Sequence, residues 1–151
     1  MSRTRTTEAG QVLAGVLLLS SVLLPLGALV VYQARTSLLL EQARRGSLEA
    51  VHKAEGTLHW AVSRIPPGTE ASTLLAGPDG IPGTEDDGVF PFGDPPLGDE
   101  VALAVESGAE GFVKITCVAS GFRDARARVS VWLAQNGEDL LPLAWQSEEN
   151  G

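Results

Sequence analysis

Apolar positions change their spacing three times along this chain, and each change marks a new element. From Val12 to Tyr32 the run VLAGVLLLSSVLLPLGALVVY carries no charge and no polar face. As a helix rising 1.5 Å per residue it would be about 31 Å long, the hydrocarbon thickness of a bilayer. Ser20 and Ser21 are its only hydroxyls before Tyr32, and serines can bond back to the preceding turn. Over 33–65 the apolar residues Leu40, Ala43, Val51, Ala54, Leu58, Val62 and Ile65 recur at spacings of three and four, with a gap at Ser47, which predicts an amphipathic helix. Gly46 and Gly56 each weaken that helix by about 1 kcal/mol, or permit a close neighbour. Pro66-Pro67 ends it. Residues 66–98 hold seven prolines and seven glycines and read as a draped loop rather than a core element.

From about 99 the period becomes two. Val101–Val105 is a short apolar run, and Phe112–Ala119 alternates. So do Ala127, Val129, Val131 and Leu133, then Leu141, Leu143 and Trp145. Gly121–Asp124 and Asn136–Asp139 supply turns. The expected fold is α+β: a long N-terminal membrane-spanning helix continuing into a small headgroup with a three- to four-stranded antiparallel sheet. The stripe over 51–65 is the expected cover, resting on Val113, Ile115, Ala127, Val129 and Val131. The expected boundaries are a leader at 1–10, a span at 11–32, an amphipathic helix at 33–65, a loop region at 66–98 and a β-meander at 99–151.

The N-terminal segment admits three readings. One is a cleaved secretory signal, with Arg3 and Arg5 before the apolar run and small residues at Gly27 and Ala28, although the run continues past them. Another is a plain single-span anchor. The third is a leader cut between Gly10 and Gln11, leaving a helix that anchors first and packs with other subunits later. Charge does not decide orientation, because Arg35, Arg44 and Arg45 follow the span as Arg3 and Arg5 precede it. Pro25, with Gly27 near it, predicts a bend within the span.

A net charge of −8 argues against nucleic acid and against an anionic lipid surface as partner for the soluble part. The single cysteine, Cys117, excludes an intrachain disulfide and shares the alternating face of Val113 and Ile115, so a buried position is expected. No Ser-His-Asp, HExxH, CxxC or phosphate-loop pattern occurs, and no enzymatic role is expected. His52 and His59 are about 10 Å apart along a helix, too far to share one metal without other ligands.

One stretch has the chemistry of a cation site. Gly77–Gly88, GPDGIPGTEDDG, carries Asp79, Glu85, Asp86 and Asp87 in a glycine-rich loop that exposes backbone carbonyls, the donor set of a hard cation such as calcium. It lacks EF-hand spacing. The alternative is a solvated acidic turn.

A short leader with arginines ending in Gly10, an apolar span directly after it, an amphipathic continuation through Ala54-Glu55-Gly56-Thr57-Leu58-His59-Trp60-Ala61 and a small antiparallel sheet together resemble the type IV pilin superfamily. Within it the chain is most similar to minor pilins and to the K-class pseudopilins of type II secretion, as in Val113-Lys114-Ile115, Gly121, Ala127-Arg128-Val129 and Leu143-Ala144-Trp145. The family's leader ends in a basic-Gly pair followed by Phe, where this chain has Ala9-Gly10-Gln11. Most members carry a Glu where Gly15 stands, a residue the K-class also lacks, and its absence suits a tip or initiator position. Gly10-Gln11 and Leu24-Pro25 also resemble Tad-type pilus proteins. The acidic stretch is similar to GxDGxxGTxDD loops of pilin-like and other extracytoplasmic proteins, and some major pseudopilins have a structural calcium site. The resemblance implies cleavage after Gly10 by a prepilin peptidase, methylation, packing with other pilin or pseudopilin subunits through the N-terminal helix, and a bacterial inner-membrane location with an extracytoplasmic headgroup.

Two function classes follow: a structural subunit of a pilus or pseudopilus, and a single-span anchored module whose headgroup binds a ligand.

Overall fold

A computed structural model describes residues 5–109, 111–137 and 139–148. The chain forms one 60-residue helix, α1 (Arg5–Arg64), a short helix α2 (Ala71–Leu75), and four strands: β1 (Val101–Ser107), β2 (Phe112–Ser120), β3 (Arg126–Asn136) and β4 (Asp139–Glu148). It divides into two compact units, residues 1–42 and 43–151. Pro25 lies inside the helix. The expected leader boundary at Gly10 is not marked by a break, since α1 already begins at Arg5, and Met1–Thr4 lie outside the described residues.

In the first unit the helix is long and apolar enough to cross a membrane, and none of that apolar window is buried. Ser21 donates to the Leu18 carbonyl at 2.7 Å, so its hydroxyl adds no unsatisfied donor to the apolar surface.

The second unit is a meander in the order β1-β2-β3-β4, antiparallel throughout. A two-residue side-chain period sends Val113, Ile115, Cys117 and Ala119 of β2 and Ala127, Val129, Val131 and Leu133 of β3 to one face, and all eight are buried. The other face holds Thr116 and Ser130, directly paired and hydrogen-bonded at 3.1 Å.

The helix covers the inner face largely with the stripe read from the sequence, since Ala54 and Leu58 lie in the core and Val62 and Ile65 pack against it; Val51 is the exception, and Ala50, Thr57 and Ala61 join the contact. Ala50, Ala54, Thr57, Leu58 and Ala61 are buried, while Val51 is only half-buried and Leu40 and Ala43 are exposed. Small residues let the helix axis approach the sheet, so the larger Val62 and Ile65 pack at the margin of the core. Gly46 has the same role: a Cβ there would meet the Phe122 carbonyl and the Ala125 side chain.

The second correction concerns residues 66–98. They are not merely draped. Leu74 of α2 is fully buried, Phe90 is 5% exposed, and both belong to the core. Helix and loop therefore share the cover. The loop is fixed to the far end of the sheet by Asp139, whose Oδ1 accepts from the Gly68 N–H at 3.1 Å, and by Gln135, whose Oε1 accepts from the Ala71 N–H at 2.9 Å. At the near end, the Lys53 ammonium lies 2.7 Å from Glu49 and 2.8 Å from Glu100, and donates to the Ser120 carbonyl at 3.3 Å. The hydrogen bonds to Glu100 and Glu49 hold the Lys53 pKa above its ordinary value.

Candidate functional site

The acidic loop is built from turns that need left-handed backbone. Gly77 has φ +70°, and a Cβ on it would run into the Asp86 carbonyl. Gly88 has φ +81°, donates to the Leu75 carbonyl at 3.1 Å and accepts from the Val105 N–H at 2.6 Å. The loop is thereby fastened to α2 on one side and to the edge of β1 on the other.

Between these anchors, three of the four expected carboxylates converge and one does not. Thr84 Oγ1 lies 2.6 Å from Asp86 Oδ1, 3.4 Å from Asp79 Oδ1 and 3.5 Å from Asp87 Oδ1, with the Ile81 carbonyl at 2.9 Å. A hydroxyl has one proton to give, and the shortest contact assigns it to Asp86. Backbone N–H groups serve the rest: Asp79 donates to Asp86 Oδ2 at 3.2 Å, Ile81 to Asp79 Oδ1 at 2.8 Å and Gly83 to Asp87 Oδ2 at 2.8 Å. The Thr84 bond is the main reason the Asp86 carboxyl is held below the usual carboxylate range. Glu85 is exposed and takes part in none of these bonds.

All of these donors are hard oxygens, the type calcium selects. Yet among the described residues no group of three or more His, Cys, Asp or Glu side chains is arranged to hold a metal ion. As arranged, the carboxylates are taken up by backbone N–H groups and by Thr84. Sequence reasoning passed over Thr84, although a hydroxyl two and three residues before paired aspartates is the pattern that caps them.

The other singled-out residues fall as follows. Gly10 and Gln11 are exposed on α1, and a Cβ at Gly10 would meet nothing within 4 Å. Cys117 is fully buried, and burial pushes its thiol up to about 11, with the Thr57 hydroxyl acting weakly the other way. Among the described residues, Thr57 Oγ1 is itself buried without a conventional hydrogen bond. A thiol so protonated is a packing group rather than a nucleophile. His52 Nδ1 lies 3.8 Å from Glu55 Oε2, and His59 stacks on Trp145 with ring centroids 4.4 Å apart. The aromatic partner of His59, on a strand more than eighty residues later, carries no signal in the sequence.

Compared with known proteins, the chain matches no family model, no curated protein and no solved structure.

Proposed function

We propose that this chain is a structural subunit of a pilus or pseudopilus: a minor pilin or pseudopilin that is inserted in the bacterial inner membrane, cut after Gly10, and assembled through its N-terminal helix with its headgroup outside. One observation carries the reading. The apolar stretch Val12–Tyr32 is exposed along its length, and it belongs to the same helix whose later residues form the core of a four-stranded antiparallel meander. A helix that is apolar all round needs a lipid or protein environment that this chain does not supply. In a membrane that environment is lipid; in a filament it would be the equivalent helices of neighbours, packed by contacts among small and branched side chains.

A membrane-anchored binding module is the second reading, favoured by the polar groove described below. N-terminal mass spectrometry of the protein purified from its own membrane separates the two. A mature chain starting at Gln11 supports the subunit, and an intact Met1 supports the anchored module. Replacing Gly10 with a bulky residue is expected to leave full-length protein in the membrane and no assembled subunit.

A further inference from the structure

The sheet has two edges, and among the described residues only the β1 edge has a backbone partner outside the sheet. On β1 the Val105 N–H is taken by the Gly88 carbonyl. On β4, among the described residues, no backbone–backbone hydrogen bond reaches Leu140–Ser147 from outside the sheet; the Gly68 N–H meets only the side chain of Asp139 at the strand's start. The run Leu140–Ser147 carries no charge and therefore lacks the lysine that commonly guards an edge. Pro142, paired with Leu133 beside an irregularity in the β3–β4 register, has no N–H to offer a neighbour. That leaves Leu143–Ser147 as an open pairing template, with Leu143 61% and Trp145 42% exposed.

Beside this stretch lies a groove of about 380 Å³ lined by Glu55, His59, Val129, Trp145, Gln146 and Ser147. Trp145 and Ser147 pair with Val131 and Val129, so they stand on the helix-facing side of the strand. The indole of Trp145 is braced by His59. Among the described residues the Glu55 carboxylate has the His52 ring, at 3.8 Å, as its charged neighbour. The side chains of Gln146 and Ser147 make no hydrogen bond to another described residue. An open strand edge, a half-exposed carboxylate and an aromatic wall thus occupy one place.

We propose that the Leu143–Ser147 edge takes an extended peptide strand from a partner protein, which adds to the sheet beside β4 and lays a lysine or arginine side chain into the groove between Glu55 and Trp145. Main-chain pairing would supply affinity, and the pocket for one side chain would supply specificity. Alternate side chains of an added strand point to the same face as Trp145, so a single basic residue in register enters the groove. There the carboxylate attracts the cation and the indole face adds a cation–π contact. The proposal concerns residues 43–151 and stands whether or not the leader is cut.

The test titrates blocked peptides of alternating threonine and valine into the full chain in detergent micelles. One carries a central lysine, a second a central glutamate, and a third the lysine with N-methyl groups on alternate amides. Backbone amide shifts of Leu143–Ser147 and indole fluorescence are the readouts, with Trp145→Phe identifying the responding ring. The lysine peptide is expected to bind and to shift those amides, whereas the glutamate and N-methylated peptides are not. Glu55→Gln, an exposed change that should leave the thermal midpoint in place, is expected to weaken the lysine peptide about three- to tenfold, the scale of a partly exposed ion pair with an aromatic neighbour. Equal binding of the N-methylated peptide would remove the strand-addition mode. Binding of an N-acetylglucosamine oligomer with no response to any peptide would reassign the groove to a glycan. Either result overturns the proposal.

Discussion

Gly46 of α1 and Gly121 at the end of β2 meet backbone to backbone. A Cβ on Gly121 would strike the Gly46 carbonyl and come within 3.1 Å of Ala50, and a Cβ on Gly46 would press on the Phe122 carbonyl. This contact fixes how closely the helix and the β2–β3 hairpin approach. Gly46→Ala and Gly121→Ala are each expected to destabilise residues 43–151 by about 1–3 kcal/mol through overpacking. Gly56 is the control. It lies on the same helix, and a methyl group added there would meet nothing within 4 Å. Gly56→Ala should therefore stabilise by about 0.5–1 kcal/mol. Thermal midpoints of the three variants check the assignment, and a loss at Gly56 equal to that at Gly46 would contradict it.

The core gives a second contrast. Leu58 is fully buried among sheet residues, whereas Val51 is half-buried and lies outside the core cluster. Leu58→Ala is expected to cost about 2–5 kcal/mol, and Val51→Ala less than about 1 kcal/mol. Denaturant unfolding of the full chain in micelles reads both, and comparable losses would place the helix at a different rotation over the sheet.

That contrast also shows what was legible in the sequence. Strands β2 and β3 could be read because their alternation is strict: Val113, Ile115 and Cys117, and Ala127, Val129 and Val131, all reach the core as spaced, whereas an irregularity in the β3–β4 pairing breaks the expected alternation of β4 and leaves Leu141, Leu143 and Trp145 exposed. The helix could be found, and Ala54, Leu58, Val62 and Ile65 of its expected stripe do meet the core, whereas Val51 does not. What the apolar spacing missed are the small residues Gly46, Ala50 and Ala61, which add to the contact because their size lets the backbone come close. Leu74 and Phe90 were hidden by the prolines and glycines around them, since isolated apolar residues in a loop carry no period. In the acidic stretch the carboxylates were visible as a charge run. Which three would share one hydroxyl depends on the left-handed turns at Gly77 and Gly88, and the order of residue types does not contain those turns.

The β2–β3 turn holds a different kind of cost. Arg123 and Asp124 have φ values of 58° and 59°, two consecutive left-handed residues without glycine at either position. A side chain in that region costs about 1–2 kcal/mol per residue, less for aspartate, which tolerates it better. Tight hairpin turns of this hand prefer Asn-Gly. Replacing Arg123-Asp124 by Asn-Gly is therefore expected to raise the thermal midpoint of the headgroup. It would also remove the Arg123 guanidinium lying 5.8 Å from the Phe122 ring. Calorimetry of the double variant is the check, and an unchanged or lower midpoint would mean that this stacking outweighs the backbone strain.

The acidic loop yields a prediction with a defined sign in pH. The Asp86 carboxyl is held below its ordinary value chiefly by the Thr84 hydroxyl. A carboxyl whose folded-state pKa is depressed contributes stability above its unfolded pKa, near 4, and loses it as pH falls through the folded value. Thr84→Val removes the hydroxyl while keeping the volume. The variant should be less stable than the parent at neutral pH. The difference should shrink as the pH is lowered below about 4, because protonated Asp86 no longer needs the donor. Thermal midpoints of parent and variant between neutral pH and pH 3 measure this, and a difference independent of pH would mean that Thr84 acts by packing alone. Calcium provides the second arm. With the carboxylates served by Thr84 and by backbone N–H groups, this arrangement predicts no change of midpoint at millimolar calcium. A rise in midpoint that Asp86→Asn with Asp87→Asn abolishes would show instead that Asp79, Asp86 and Asp87 exchange the Thr84 hydrogen for a cation, drawing Glu85 or the loop carbonyls into its shell as the resemblance to calcium-bearing loops implies.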